Sequence, residues 1–415
     1  MNNLSFLQNV ALEQLEQFKK KDTGIERNID FKKYLRTKQI VVISGIRRSG
    51  KSTFLAQISK RISNFYYLSF DDERLIDFSV KDFDLLMLIF KKLYRSKNIL
   101  LDEIQNVENW ERFVRRIYEE GYKIFLTGSN AKLLSSELAT HLTGRHFKLD
   151  LFPFSFQEFL KLEKINPDFS ISDQKALLLR FFDKYLENGG FPEFLKYRDP
   201  ELLKRNYEDI LYKDLLVRFK IKETKQFKQL AYWLFANFAK ETSYHSLKKI
   251  LGFKSATSVK NYVDFMEESF LLFELYKYDF SLKKQFVSNK KIYVIDNGLR
   301  NNVAFYFSED KGRLLENIVF LELKRRGKEI YYYKNKNECD FLIKDGARVN
   351  ELIQVSFELN QNKERELAGL MEAMEKFELD DGLLLTKDEE DQVEIGRKKI
   401  KVFPVWKWLL KNPVR

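Results

Sequence analysis

Residues Gly45 to Ser52 read GIRRSGKS and fit the pattern G-x-x-x-x-G-K-[ST]. This octapeptide constrains its surroundings more than any other stretch, because the pattern works only between a strand and a helix. Its glycines let the backbone turn tightly, so that successive N–H groups can point at phosphate oxygens. The neighbours comply. QIVVIS (Gln39 to Ser44) is an apolar, β-branched run, and STFLAQISKRI after the loop has helical spacing. The expected phosphate cradle is therefore Gly45, Ile46, Arg47, Arg48, Ser49, Gly50, Lys51, Ser52 and Thr53, with ATP as its ligand. Lys51 would reach the β- and γ-phosphates, and the Ser52 hydroxyl would hold Mg²⁺. Arg47 and Arg48 could contact phosphates or a partner, although side chains at these loop positions usually point outward.

The chain of 415 residues is long enough for two to four domains, and 44% hydrophobic content with 32% charged residues marks it as ordered. No apolar run reaches the length of a membrane span, and no leader-like pattern opens the chain, so no membrane partner is expected. Instead Leu4, Leu7, Ala11, Leu15 and Phe18 share one face of an N-terminal helix. The single cysteine, Cys339, excludes an intrachain disulfide framework and suits a reducing cytoplasm. With only three histidines, a structural zinc site is not expected. The formal net charge is +12, and the segment 201–260 holds 13 Lys and Arg against 6 Asp and Glu. Such a basic stretch suits DNA and suits an ordinary solvated face equally.

Up to about Phe152 strand-like and helical patterns alternate. IVVIS, FYYLSF, NILLDE, KIFLTG and HFKLDL are near-continuous apolar runs, as in a parallel sheet covered on both faces. From Phe154 the pattern is helical, broken by the turn NGGFPE. Between Lys222 and Tyr278, three helical segments precede the extended run FLLFELYKYD, the order of a winged helix-turn-helix. Its third helix would present Lys254, Ser255, Thr257, Lys260 and Asn261 to DNA. From Gly312 a helix, several strands and a second helix form another α/β unit.

ILLDE (Ile99 to Glu103) places two acids at the carboxyl end of a buried strand, where open α/β sheets bind ligands. Asp102 would hold Mg²⁺ through water and Glu103 would polarise the attacking water. Ser129 and Asn130 end the strand KIFLTG. Asn130 there could sense a γ-phosphate, although the same residues suit a turn. Arg145, in HLTGRHF, could stabilise transition-state charge in its own subunit or a neighbour's, or form a surface ion pair.

Taken together, GIRRSGKST, ILLDEIQN, LTGSNAKLL, LTGRHFKLDLFPFSFQEFL, GGFPE, IYVIDNGLR and ECDFLI resemble the prokaryotic AAA-type P-loop ATPases that carry a C-terminal domain of unknown function. The resemblance spans nearly the whole chain. It implies ATP binding and hydrolysis, and an α/β fold in four parts. These are an AAA-type P-loop parallel-sheet domain (1–153), a helical lid (154–221), a winged helix-turn-helix (222–280) and a C-terminal α/β PD-(D/E)xK-like domain (281–415). The expected function is a Mg²⁺-dependent, ATP-hydrolysing switch or motor, with DNA and a second copy of the chain as candidate partners. The alternatives are an ATP-responsive DNA-binding regulator and an ATP-gated metal-dependent nuclease.

The C-terminal part resembles the PD-(D/E)xK nuclease fold with a weakened site. Glu316 fits the helix acid and Asp340 the strand acid, while Gln354 and Ser356 occupy the E/Q-x-K positions. Serine in place of lysine removes the cation that would position or activate water. Glu358 could add an acid. A migrated lysine such as Lys344 could restore the charge. A degenerate fold kept for binding or assembly is the expectation.

Overall fold

The computed structural model describes residues 4–129, 144–166, 172–304, 311–359 and 363–411. They fall into two units that meet in sequence at Phe152 and Pro153.

In the first unit five aliphatic runs form the strands β1 (Ile40–Ser44), β2 (Tyr66–Ser69), β3 (Asn98–Asp102), β4 (Lys123–Gly128) and β5 (His146–Asp150). Their order is β2-β3-β4-β1-β5, with every pairing parallel. The pleat sorts side chains by alternation. Val41, Ile43, Leu100 and Phe125 enter one apolar cluster, and Ile40, Val42, Ile99, Leu101, Ile124 and Leu126 enter another. Both faces are thus covered, which is why these strands read as unbroken apolar runs. The cover comes from the helices α1 (Leu4–Lys20), α2 (Phe31–Arg36), α3 (Lys51–Ser59), α4 (Phe83–Leu93) and α5 (Trp110–Glu119). The sequence-expected face of α1 is realised in part: Leu7, Ala11, Leu15 and Phe18 are buried, and Phe18 stacks on Tyr67 with ring centroids 3.7 Å apart, while Leu4 stays exposed. Burying each such side chain contributes roughly 1.5–3 kcal/mol.

The second unit begins with helices Phe156–Leu162, Ser172–Asn188, Pro192–Tyr197 and Pro200–Asp209. Three more follow, Thr224–Ala236, Tyr244–Leu251 and Ala256–Glu268. Their boundaries follow local chemistry. Ser243 and Ser255 cap the last two by accepting from the backbone N–H of Ser246 and Ser258, and Gly252 stops the middle one at a φ of 70°. A small antiparallel sheet then forms from β6 (Glu241–Thr242), β7 (Leu272–Tyr276) and β8 (Lys290–Val294), in the order β6-β8-β7. Its central strand lies beyond residue 280, so the expected division at 280/281 runs through a sheet.

A second sheet contains β9 (Glu329–Lys334), β10 (Glu338–Asp345), β11 (Arg348–Val355), β12 (Asp381–Thr386), β13 (Asp391–Ile395) and β14 (Lys398–Pro404). Its order is β13-β14-β12-β11-β10-β9. Helix Lys363–Lys376 makes the crossover between the parallel neighbours β11 and β12. A Cβ on Gly369 of that helix would lie 2.0 Å from the Glu338 carbonyl oxygen, so glycine sets how closely helix and sheet approach. Among the described residues no helix is long and apolar enough to cross a membrane.

Candidate functional site

The loop between β1 and α3 is shaped by two glycines. A Cβ on Gly45 would meet the Leu151 carbonyl oxygen at 2.3 Å, and Gly50 opens α3 at a φ of 95°. Arg48 also adopts a left-handed φ of 62° and is exposed, while Arg47 is half-buried. The loop is pinned from outside by Arg27, a buried residue that sequence reasoning missed. Its guanidinium donates to the Ser49 carbonyl at 3.0 Å and the Phe152 carbonyl at 2.6 Å. Lys51 is buried and donates to the carbonyls of Gly45 and Ile46 at 3.1 and 3.2 Å. Its ammonium also lies 3.6 Å from the Glu103 carboxylate.

The acids arrive from β3, whose carboxyl end lies beside that of β4. Asp102 is buried, accepts hydrogen bonds from Thr127 and Ser52, and receives the Tyr67 hydroxyl at 3.4 Å. Burial, followed by the neighbouring charge of Glu103, raises its carboxyl above the ordinary range, while the Thr127 and Ser52 hydrogen bonds oppose that rise. Glu103 has a left-handed φ of 51°, which turns it out of the strand. Its N–H donates to the Thr127 hydroxyl at 2.9 Å, and its carboxylate accepts from Gln105 at 2.5 Å. Thr127 therefore holds both acids. The signal available in sequence was one polar residue inside the apolar run KIFLTG.

Lys51, Ser52, Asp102 and Glu103 are thus brought together, and Ser129 sits buried just after the end of β4. Asn130 lies outside the described residues. Arg145 is placed elsewhere. It precedes β5, its carbonyl accepts from Ile40 at the start of β1, and its guanidinium pairs with Glu119 at 2.8 Å. A five-residue strand, roughly 15 Å, separates it from the loop within the same chain.

The site suits a phosphate-bearing ligand and a divalent cation on the evidence of its own atoms. The Ser49 hydroxyl is buried inside the loop and has no hydrogen-bond partner among the described residues. Ser52 and Asp102 offer the hard oxygens that Mg²⁺ prefers.

A second cluster lies in the other unit. Glu316 of helix Lys311–Arg325, Asp340 of β10 and Gln354 of β11 come together as the sequence spacing suggested. The Asp340 N–H donates to Gln354 Oε1 at 3.0 Å, and Val355 N–H donates to Asp340 Oδ2 at 3.0 Å. Gln354 donates to Glu366 at 2.6 Å. Ser356 and Glu358 line the same cavity of 830 Å³, and the Ser356 hydroxyl donates to the Glu358 carbonyl. Lys344 does not reach it, since its ammonium pairs with Glu329 at 3.1 Å. The cation that the motif appeared to lack is present all the same. Lys291 of β8 lies 2.9 Å from Glu316, 2.9 Å from Asp340 and 2.6 Å from Glu338. Burial alone would depress this ammonium, but Asp340 and Glu316 outweigh it and hold it well above its usual value. Burial and Glu316 in turn push Asp340 upward.

Of the expected DNA-facing residues, Lys254, Thr257, Lys260 and Asn261 are exposed, whereas Ser255 is occupied as a helix cap.

Residues 37–160 match a family described as an AAA domain, and 179–310 and 311–408 match two domains of unknown function, DUF8612 and DUF4143. An uncharacterized protein of Methanocaldococcus jannaschii is 39% identical, over 97% of this chain and 94% of its own length. An uncharacterized protein of Haemophilus influenzae is 31% identical, over 94% and 98%. The chain belongs to the prokaryotic AAA-type P-loop ATPase family that carries a C-terminal domain of unknown function. The stretch matched as an AAA domain contains all of β1, β3 and β4, and hence every residue of the cluster around Lys51. AMPPCP-bound DnaA from Aquifex aeolicus is 17% identical over 57% of this chain and 86% of its own, with a TM-score of 0.25, an overlap too low to carry functional weight.

Proposed function

We propose that this protein is a Mg²⁺-dependent ATPase of the AAA type, a switch or motor that acts with DNA. The convergence of Lys51, Ser52, Asp102 and Glu103 at the carboxyl ends of β1 and β3 carries the reading. In it, the backbone from Gly45 to Thr53 and the Ser49 hydroxyl hold the triphosphate, and Ser52 and Asp102 hold Mg²⁺. Bound Mg²⁺ supplies charge neutralisation at the phosphates. Lys51 exchanges its loop carbonyls and Glu103 for phosphate oxygens. Glu103, released from that ion pair, orients a water molecule and accepts its proton on a carboxylate oxygen, while Thr127 keeps both acids in register. Arg145 belongs to this proposal only as a residue offered to a neighbouring subunit.

The DNA part rests on the exposed Lys254, Thr257, Lys260 and Asn261, at and just before the start of helix Ala256–Glu268. Three helices beside a small antiparallel sheet support a winged-helix reading of this region. The helix, strands and acids around Asp340 support a PD-(D/E)xK-like reading of the C-terminal part. Within this reading the divisions near residues 222 and 281 mark functional parts of the second unit rather than separable folds.

The test is steady-state ATP turnover of the wild type, Lys51→Ala and Glu103→Gln, with and without duplex DNA. Turnover falls by orders of magnitude in both variants, and Glu103→Gln still retains nucleotide. Unchanged turnover in both variants sinks the assignment. Salt-dependent DNA binding with negligible turnover in the wild type would favour a regulator that only senses ATP.

A further inference from the structure

Three carboxylates from two elements meet around one point in the second unit: Glu316 from helix Lys311–Arg325, and Glu338 and Asp340 from β10. Such a cluster ordinarily recruits a divalent metal. Here the point is already filled by Lys291 Nζ, at 2.6–2.9 Å from one oxygen of each acid. The lysine side chain is only 3% exposed. It does not line the adjacent cavity, whose wall holds all three acids. The ammonium therefore approaches the acids from the side away from the cavity, on β8, with the Tyr332 ring beside it. The Tyr293 hydroxyl donates to the same Glu316 oxygen at 2.6 Å, and the Tyr332 ring centroid lies 5.8 Å from the ammonium.

This geometry separates two roles for a lysine in such a site. A lysine that activates water or touches a scissile phosphate must reach the cavity. The Lys291 ammonium donates to Glu316 and Asp340 and forms an ion pair with Glu338, so its charge is engaged by the three acids. With Lys291 in place, no group of three or more His, Cys, Asp and Glu among the described residues could hold a metal ion. Asp340 spends its second oxygen on the Val355 N–H.

We propose that Lys291 is the resident cation of the Glu316–Glu338–Asp340 cluster, standing where a divalent metal would otherwise bind, so that this cavity is a metal-independent site. The ammonium is covalently part of the chain, so the cluster stays neutralised whatever the free Mg²⁺ concentration. Removing the ammonium leaves the buried Glu316 and Asp340 and the half-buried Glu338 facing the cavity, and these then take up a divalent cation.

The experiment measures Mn²⁺ binding to the full-length protein by calorimetry and electron paramagnetic resonance. The proteins are wild type, Asp340→Asn, Lys291→Met, Lys291→Gln and Lys291→Met/Asp340→Asn, each checked for folding by circular dichroism. Comparing pairs that differ only at Asp340 cancels any Mn²⁺ held near Ser52. The expected result is equal Mn²⁺ uptake by wild type and Asp340→Asn. Lys291→Met gains about one further equivalent, which the added Asp340→Asn change abolishes. Two results overturn the proposal: Asp340-dependent Mn²⁺ binding in the wild type, or a folded Lys291 variant that gains none. If neither Lys291 variant folds, the wild-type and Asp340→Asn pair decides, with equal uptake supporting the proposal and a loss of uptake overturning it.

Discussion

Asp296 accepts the backbone N–H of Gly190 at 2.6 Å, across 106 residues of sequence. The same carboxylate caps helix Asn297–Val303 by accepting from Leu299 at 2.8 Å. The Gly190 carbonyl in turn accepts from the Phe154 N–H at 2.7 Å, and a Cβ on Gly190 would lie 2.2 Å from the Phe154 carbonyl oxygen. Three of the family's motifs, FPFSF, GGFPE and IDNGLR, therefore meet at one buried junction of the second unit. Asn297 and Asn317 extend it by bonding each other at 2.9 Å and the carbonyls of Leu186, Leu314 and Val294.

Asp296→Ala should therefore unfold the second unit more easily, because two buried N–H groups lose their acceptor. The expected loss is about 3 kcal/mol. Urea denaturation followed by tyrosine and tryptophan fluorescence reads it, and a loss below about 0.5 kcal/mol would contradict the role assigned to this carboxylate.

Thr127→Val keeps the volume of the side chain and removes the hydroxyl that holds Asp102 and Glu103. ATP turnover should fall by about 10–100-fold, as when a residue orienting metal-binding groups is lost. Nucleotide binding, measured with a fluorescent ATP analogue, should change far less. An equal loss of both would point to general damage to the loop.

Gly45→Ala tests the close approach to Leu151. A methyl group cannot fit at 2.3 Å from a carbonyl oxygen, so the loop or β5 must shift. The expected cost is about 1–3 kcal/mol in stability, together with weakened nucleotide binding. Thermal melting with and without ATP separates the two effects.

Glu274 gives a pH dependence with a definite sign. Burial pushes its carboxyl up to about 7, with Lys290 opposing. The Tyr244 hydroxyl donates to this carboxyl, and the Tyr276 hydroxyl lies 3.4 Å away. The folded chain thus retains a proton that the unfolded chain releases near pH 4.5. Unfolding stability should fall as pH rises from about 4.5 to about 7, by up to about 3 kcal/mol from this group. Glu274→Gln should flatten that part of the profile. A steeper profile in the variant would reverse the sign and refute the assignment.

How far the sequence could be read depended on how local each signal was. β1 and β4 were read to the residue, because their apolar runs are bounded by polar or glycine residues. Lys51, Ser52, Asp102 and Glu103 were legible because each belongs to a short pattern that fixes its own backbone. Thr127 was not, since its role depends on which strand pairs with β3. For Arg145 the sequence left a phosphate contact and a surface ion pair equally open, and the structure gives an ion pair with Glu119. Arg145 precedes its strand, and in a parallel sheet that position lies at the edge opposite the loop. Lys291 was invisible. It sits 25 residues before Glu316 and 49 before Asp340, on a strand assigned by pattern to no site.

The position of β8 also limits how a lineage could assemble or dismember this protein. A recombination joint near residue 280 would leave β6 and β7 without the strand that lies between them. A joint near 310, where two matched domains abut, would keep the small sheet whole but separate Lys291 from all three of its acids. One descendant would inherit a buried positive charge with no counterpart, and the other three clustered carboxylates without their cation. The two stretches are distinct as sequences but must be inherited as a single piece.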